Sequence, residues 1–225
     1  MNDNGIDDII FGTDGDNLYV LLDDLTIAPG FPLDLGNNLR SEPAVLNASD
    51  EKVILIGCND NNFYGINYSD ASLRFVIPTG DDVLTSAAFK EGINGTEIYF
   101  GSDDGNIYGI NTLGENLTGF PLNIDGGIVG SIVFSDINND NSEDMIAVND
   151  NGQIYAFNED NSLHDHFPIE HQFSFSSAPL VVDYDNDNDL EIICGSAADL
   201  VIVDYKDNTT NNQDSWNVYK GDYQR

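Results

Sequence analysis

Two acidic segments hold the residues best suited to chemistry. One reads Asp136-Ile137-Asn138-Asn139-Asp140-Asn141-Ser142-Glu143-Asp144, the other Asp183-Tyr184-Asp185-Asn186-Asp187-Asn188-Asp189-Leu190-Glu191. Side-chain oxygens stand at positions 1, 3, 5 and 9 of both: Asp136, Asn138, Asp140 and Asp144, and Asp183, Asp185, Asp187 and Glu191. In a tightly curled loop, alternate residues turn inward together. Position 7, held by Ser142 and Asp189, would add a backbone carbonyl. About six hard oxygen donors at ~2.3–2.6 Å suit Ca²⁺. Carboxylates gathered this closely repel one another unless a cation lies between them. An EF-hand would need a Glu at position 12 and a helix on each side. Position 12 is Ala147 in one segment and Cys194 in the other, and the flanks read as strands.

The start of the chain fits the same template. Aligning Asp8 with Asp144 places Asn4 at position 5 and Asn2 at position 3. The chain is therefore expected to begin inside a third calcium loop, as a fragment of a longer protein, which accounts for a polar start without a signal peptide. The corresponding segments Asn47–Glu51 and Glu91–Glu97 lack the full set of oxygens, and no tight site is expected there.

The elements that would position these loops repeat. Five β-rich runs end at Gly12, Gly57, Gly101, Val148 and Gly195, at steps of 44 to 47 residues. A turn-rich gap and a second run follow each, bringing Tyr19, Tyr64, Tyr108, Tyr155 and Ile202 to the seventh place after the first run. A polar, Gly-rich gap between two such runs is a hairpin signal. Gly30-Phe31-Pro32, Gly119-Phe120-Pro121 and His166-Phe167-Pro168 form a third landmark, which repeat two keeps one residue out of step as Phe75 and Pro78. A fourth run, such as Pro43–Leu46 or Ser131–Phe134, leads into the next unit.

Four short strands every ~45 residues is the period of a propeller blade. One twisted sheet of this size buries too little alone, but neighbouring sheets can bury each other's faces. The expected fold is all-β: a β-propeller of about five four-stranded blades, a fragment of a larger propeller protein. It is read as one domain over 1–225, with repeats at about 1–48, 49–92, 93–135, 136–182 and 183–225. The repeated Tyr is read as a packing residue between blades. The sequence leaves both a closed five-blade ring and an open arc possible.

Composition narrows the function. The 225 residues carry 40 acidic and 7 basic side chains, a net charge of −33. Such a polyanion repels nucleic acid and anionic lipid and attracts cations. No apolar run reaches the ~18 residues of a membrane span, so no membrane insertion is expected. Cys58 and Cys194 sit in apolar runs and read as buried thiols. His164, His166 and His171 align with an exposed polar turn.

At the acidic loops the sequence resembles the FG-GAP and VCBS repeats, the calcium-loop blades of integrin alpha-subunit propellers and of many secreted bacterial proteins. Asn141 and Asn188 stand where that pattern favours Gly, and Glu191 where it favours Asp. The segment Gly101–Ile110 also resembles quinoprotein-type blades, without their Trp-bearing motif. The tail Trp216–Arg225 resembles the closing segment of secreted bacterial propellers. These resemblances imply bound Ca²⁺, an extracellular or cell-surface location, a protein or glycan ligand, and a non-catalytic adhesion or scaffolding role. The alternative they allow is a calcium-dependent polysaccharide-active enzyme or a quinone-dependent dehydrogenase. The seven scattered basic residues and the lack of a nucleophile motif weigh against it.

Overall fold

The computed structural model describes residues 5–187 and 189–205. Asn2, Asn4 and the tail Trp216–Arg225 lie outside them. The described residues form five antiparallel sheets and no helix. The first contains β1 (Ile9–Gly12), β2 (Asn17–Leu21) and β3 (Leu33–Asp34). The second contains β4 (Ala44–Asn47), β5 (Lys52–Cys58), β6 (Asn62–Asn67) and β7 (Leu73–Pro78). The third contains β8 (Ala88–Gly92), β9 (Gly95–Gly101), β10 (Asn106–Asn111) and β11 (Leu122–Asn123). The fourth contains β12 (Ile128–Ser135), β13 (Asp144–Asn149), β14 (Gln153–Phe157) and β15 (Ile169–Glu170). The fifth contains β16 (Leu180–Val182), β17 (Leu190–Gly195) and β18 (Leu200–Tyr205). Strand order within each sheet follows the chain, so every blade is a meander. The run that closes one sequence unit opens the next sheet.

The second and third strands of a blade are sandwiched between neighbours. Their sequences are accordingly apolar on both faces, as in Val53-Ile54-Leu55-Ile56 of β5, where no residue is more than 1% exposed. Four hydrophobic clusters form, one at each junction of consecutive blades. Between blades two and three, Phe63 stacks on Phe100 with ring centroids 3.9 Å apart, and Phe100 stacks on Tyr108 at 4.9 Å. The repeated Tyr therefore does pack at the junctions. Its hydroxyl also ties the ring to the acidic hairpin turn, since Tyr108 donates to Asp104 at 2.7 Å and Tyr64 donates to Asp60.

The glycine that ends the second strand is a close-approach position. A Cβ on Gly101 would stand 2.3 Å from Ile128 Cβ, and one on Gly57 would stand 2.3 Å from the Val83 carbonyl oxygen. The chain crossing to the next blade runs directly over this point. A hydroxyl clamps the same glycine from its own blade. Thr85 Oγ1 accepts from Gly101 N–H at 2.8 Å and donates to its carbonyl at 2.8 Å, and Ser41 does the same at Gly57. Blade four lacks both features because β12 starts early, so that Val129 pairs with Val148 directly.

One expectation is corrected here. In blade five the turn Ser196–Asp199 is one residue shorter than its counterparts. Cys194 therefore faces Val201, whereas Ile56 faces Tyr64, and Val201 takes the Tyr place assigned from sequence to Ile202. In blade two the out-of-step Phe75 follows from a register shift at Gly65–Ile66, where β7 pairs over a longer stretch. Among the described residues no hydrophobic cluster joins blade five to blade one.

Candidate metal centre

Both acidic segments are loops joining the first and second strands of a blade, β12 to β13 and β16 to β17. Short side-chain turns curl them. In the second loop Asn186 N–H donates to Asp183 Oδ1 at 2.7 Å, Asp187 N–H to Asp185 Oδ1 at 3.2 Å, and Asp189 N–H to Asp187 Oδ1 at 3.0 Å. The result brings one carboxylate oxygen each of Asp183, Asp185 and Asp187 within 4.8 Å of one another. Among the described residues this is the one such group of three. Asp189 is buried at position 7.

Position 9 closes the loop from below. Glu191 is 3% exposed and takes the Tyr184 N–H on Oε2 at 2.6 Å, while its Oε1 is buried with no hydrogen-bond partner. Burial, with the charges of Asp185, Asp204 and Asp187, pushes its carboxyl above the usual range against the pull of the Tyr184 N–H. An orphaned buried carboxylate oxygen costs stability unless something positive meets it. The charges of Asp185 and Asp187 reach this carboxyl, so a cation held beside them would offset its burial, and the donor set is all oxygen, as Ca²⁺ requires.

The first loop shares the frame and differs in detail. Asp144 is 0% exposed and accepts the Ile137 N–H on Oδ2 at 3.0 Å, and its Oδ1 is buried without a hydrogen bond. Asp136 accepts the N–H groups of Asp140 and Asn141 at 3.0 and 2.9 Å. Burial, with Asp140 and Asp144 nearby, raises its carboxyl above the ordinary value. Asn138 donates its amide to Asp140 Oδ2 at 3.1 Å, so these two side chains face each other. Ser142 turns away to Glu159, at 3.2 Å. Asp136, Asp140 and Asp144 do not converge as Asp183, Asp185 and Asp187 do. Asp8 precedes β1 as Asp144 begins β13, and its Oδ1 is likewise buried.

One residue here departs from its sequence reading. His164, expected on an exposed turn, is 6% exposed, with Nε2 3.0 Å from Asp144 Oδ1 but out of line for a hydrogen bond. Its backbone N–H bonds the Ala156 carbonyl just as Ala28 bonds Val20 and Leu117 bonds Gly109. His164 thus fills an inward place that other blades give to apolar residues, and brings an imidazole beneath the first loop.

A separate cavity of about 360 Å³ lies at the opposite end of the inner strands. It is lined from four consecutive blades by Arg40 and Glu42, Leu84 and Ser86, Gly130 and Ser131, and Ser177 and Ala178.

No protein-family model matches the chain, and no curated protein matches it by sequence. Solved structures do. The BBS1N domain crystallised in complex with ARL6DN superposes with a TM-score of 0.58 at 12% identity, covering 87% of this chain and 60% of that one. The computationally designed Ika8 protein superposes with a TM-score of 0.58 at 15% identity, covering 88% of this chain and 55% of that one. The fold is a β-propeller. The chain spans little more than half the length of these propellers. Among the described residues no helix is long and apolar enough to cross a membrane.

Proposed function

We propose that this propeller is a calcium-braced, non-catalytic binding or scaffolding module of FG-GAP/VCBS type, from an extracellular or cell-surface protein. The observation that carries this reading is the convergence of Asp183, Asp185 and Asp187 in the loop that ends at the buried Glu191, one of whose oxygens has no hydrogen-bond partner. In the second loop, Asp183, Asp185, Asp187 and Glu191 would hold the ion with help from position 7. In the first, Asp136, Asn138, Asp140 and Asp144 would do so once Asn138 turns its amide oxygen inward. The ion's role is to neutralise the carboxylates and fix the loop. Modules of this kind bind at ~10⁻⁴–10⁻³ M, a calcium level met outside cells.

The loops stand at one end of the inner strands and the cavity at the other. A partner, protein or glycan, is therefore assigned to the cavity end, with calcium stiffening the opposite end. BBS1N was crystallised with a protein partner, which supports a propeller as an interaction domain.

Terbium luminescence tests the site. Tyr184, 65% exposed at position 2 of the second loop, should sensitise Tb³⁺ bound there. The emission should appear on titration, fall when Ca²⁺ competes, and vanish in Tyr184→Phe. Absence of calcium-displaceable emission sinks the reading.

A further inference from the structure

Three buried side chains at the base of the first loop each keep a polar atom without a hydrogen bond: Ser135 Oγ, Asp144 Oδ1 and His164 Nε2. Ser135 and Asp144 are register partners across β12 and β13, so their side chains leave the same face of the sheet. Strand alternation makes this the face of Val133 and Ile146, which belong to the cluster between blades four and five. The His164 ring stands in the same junction. It lies edge-on to Phe167 and to Tyr205 of β18, with ring centroids 6.3 and 6.1 Å away.

Asp144 has one oxygen left to give. Its Oδ2 already accepts the Ile137 N–H at 3.0 Å, so an ion held at position 9 must take Oδ1. That is the atom His164 Nε2 approaches to 3.0 Å without the alignment of a hydrogen bond. Two atoms 3.0 Å apart that each bind one ion at ~2.1 Å subtend about 90° at it, the angle between neighbouring ligands of an octahedron. Calcium takes oxygen ligands, whereas a neutral imidazole nitrogen suits zinc and its transition-metal neighbours. In the second loop the converging groups are all carboxylates.

We infer that the first loop is a transition-metal site, in which His164 Nε2 and Asp144 Oδ1 bind one divalent ion such as Zn²⁺ directly and the loop's other oxygens complete its shell. The inference rests on the reading of the acidic loops as cation sites, and it sets which cation the first one prefers. Calcium can occupy that loop on oxygen alone when no such metal is present. The bound ion ties the start of β13 to the turn after β14, inside the junction with blade five.

The test is calorimetric titration of Zn²⁺ into the metal-stripped full chain held in millimolar Ca²⁺, for wild type, His164→Gln and His171→Gln. His171 serves as the control, because its partly exposed ring also lies near a carboxylate, 3.3 Å from Asp199. Wild type and His171→Gln should each take up one Zn²⁺. His164→Gln should bind it at least about tenfold more weakly, since losing even an outer partner of a bound ion costs that much. Imidazole ¹⁵N spectra guard against a His164 variant that does not fold. One equivalent of Zn²⁺ should move a ring-nitrogen signal that persists in His166→Gln and His171→Gln, and Ca²⁺ alone should leave it in place. Zinc uptake that does not withstand calcium overturns the inference. So does uptake that His164→Gln leaves undiminished, the imidazole then being only an ion-pair partner of Asp144. Terbium emission sensitised by Tyr184 reports the second loop separately. Its absence beside intact zinc uptake would sink the calcium reading and leave this one standing, and the reverse result would do the opposite.

Discussion

Replacing Asp185 by Asn should reverse the stability order of variant and wild type when calcium is added. In chelator, the oxygens of Asp183, Asp185 and Asp187 lie within 4.8 Å of one another. Each pair at that distance repels by about 0.9 kcal/mol in a water-like medium, and salt reduces this further. Asn at position 185 removes two of the three repulsions while its amide oxygen can still accept the Asp187 N–H. The variant should therefore gain about 1–2 kcal/mol without metal. With calcium at about a hundred times Kd, an intact site adds about 2.7 kcal/mol to the folded state. Asp185→Asn forgoes that share, so wild type becomes the more stable by about 1 kcal/mol. At ~2–4 °C per kcal/mol for a chain of this size, both differences are readable in thermal melts. A variant that melts below wild type in chelator, or that keeps the full calcium-induced rise, refutes the reasoning.

Three further outcomes follow from the blades and turns. Phe100→Ala empties the stack between Phe63 and Tyr108 and should cost about 3–5 kcal/mol in urea unfolding; a loss under ~1 kcal/mol would show that the junction is not tightly packed. Thr85→Val keeps the shape but strips the clamp from both backbone groups of Gly101, and should cost about 1–3 kcal/mol by the same assay. Asp103 keeps part of its surface exposed, yet it is pushed up to about 6 from an ordinary 3.8, first by partial desolvation and then by the charges of Asp81, Asp82, Asp150 and Asp104. The folded state then holds this proton more tightly than the unfolded chain. Its ionisation therefore destabilises the fold fully above about 6, and the penalty is relieved as the pH falls toward 3.8. Asp103→Asn should raise the melting midpoint at neutral pH and have much less effect in acid; equal effects at both would count against this assignment.

The blade period was legible because packing repeats it. A glycine is needed wherever the crossing chain passes over the second strand, as Ile128 does at Gly101, and an aromatic ring is needed at each junction. What the sequence hid depends on small geometric changes. One residue fewer in the Ser196–Asp199 turn moved the Tyr place from Ile202 to Val201, which a count along the chain cannot detect. The burial of His164 was hidden because an imidazole there has no counterpart in the other units, where Ala28 and Leu117 stand. The oxygen spacing of the two loops was plain, and their alternation predicted inward-turning side chains. Their unequal convergence was not, since it turns on which N–H each carboxylate accepts: the Asn186 backbone N–H goes to Asp183, while the Asn138 side-chain amide goes to Asp140. The orphaned oxygen of Glu191 was also beyond sequence reading, because it arises only once position 9 is sealed at the end of its loop.

Calorimetric titration of the metal-stripped chain with Ca²⁺ tests the central claim most directly. Saturable binding is expected at about two sites, one for each nine-residue loop, with the Asp185→Asn chain losing one of them. A flat titration at millimolar Ca²⁺ would contradict it, leaving the propeller in place and the acidic loops as solvated turns.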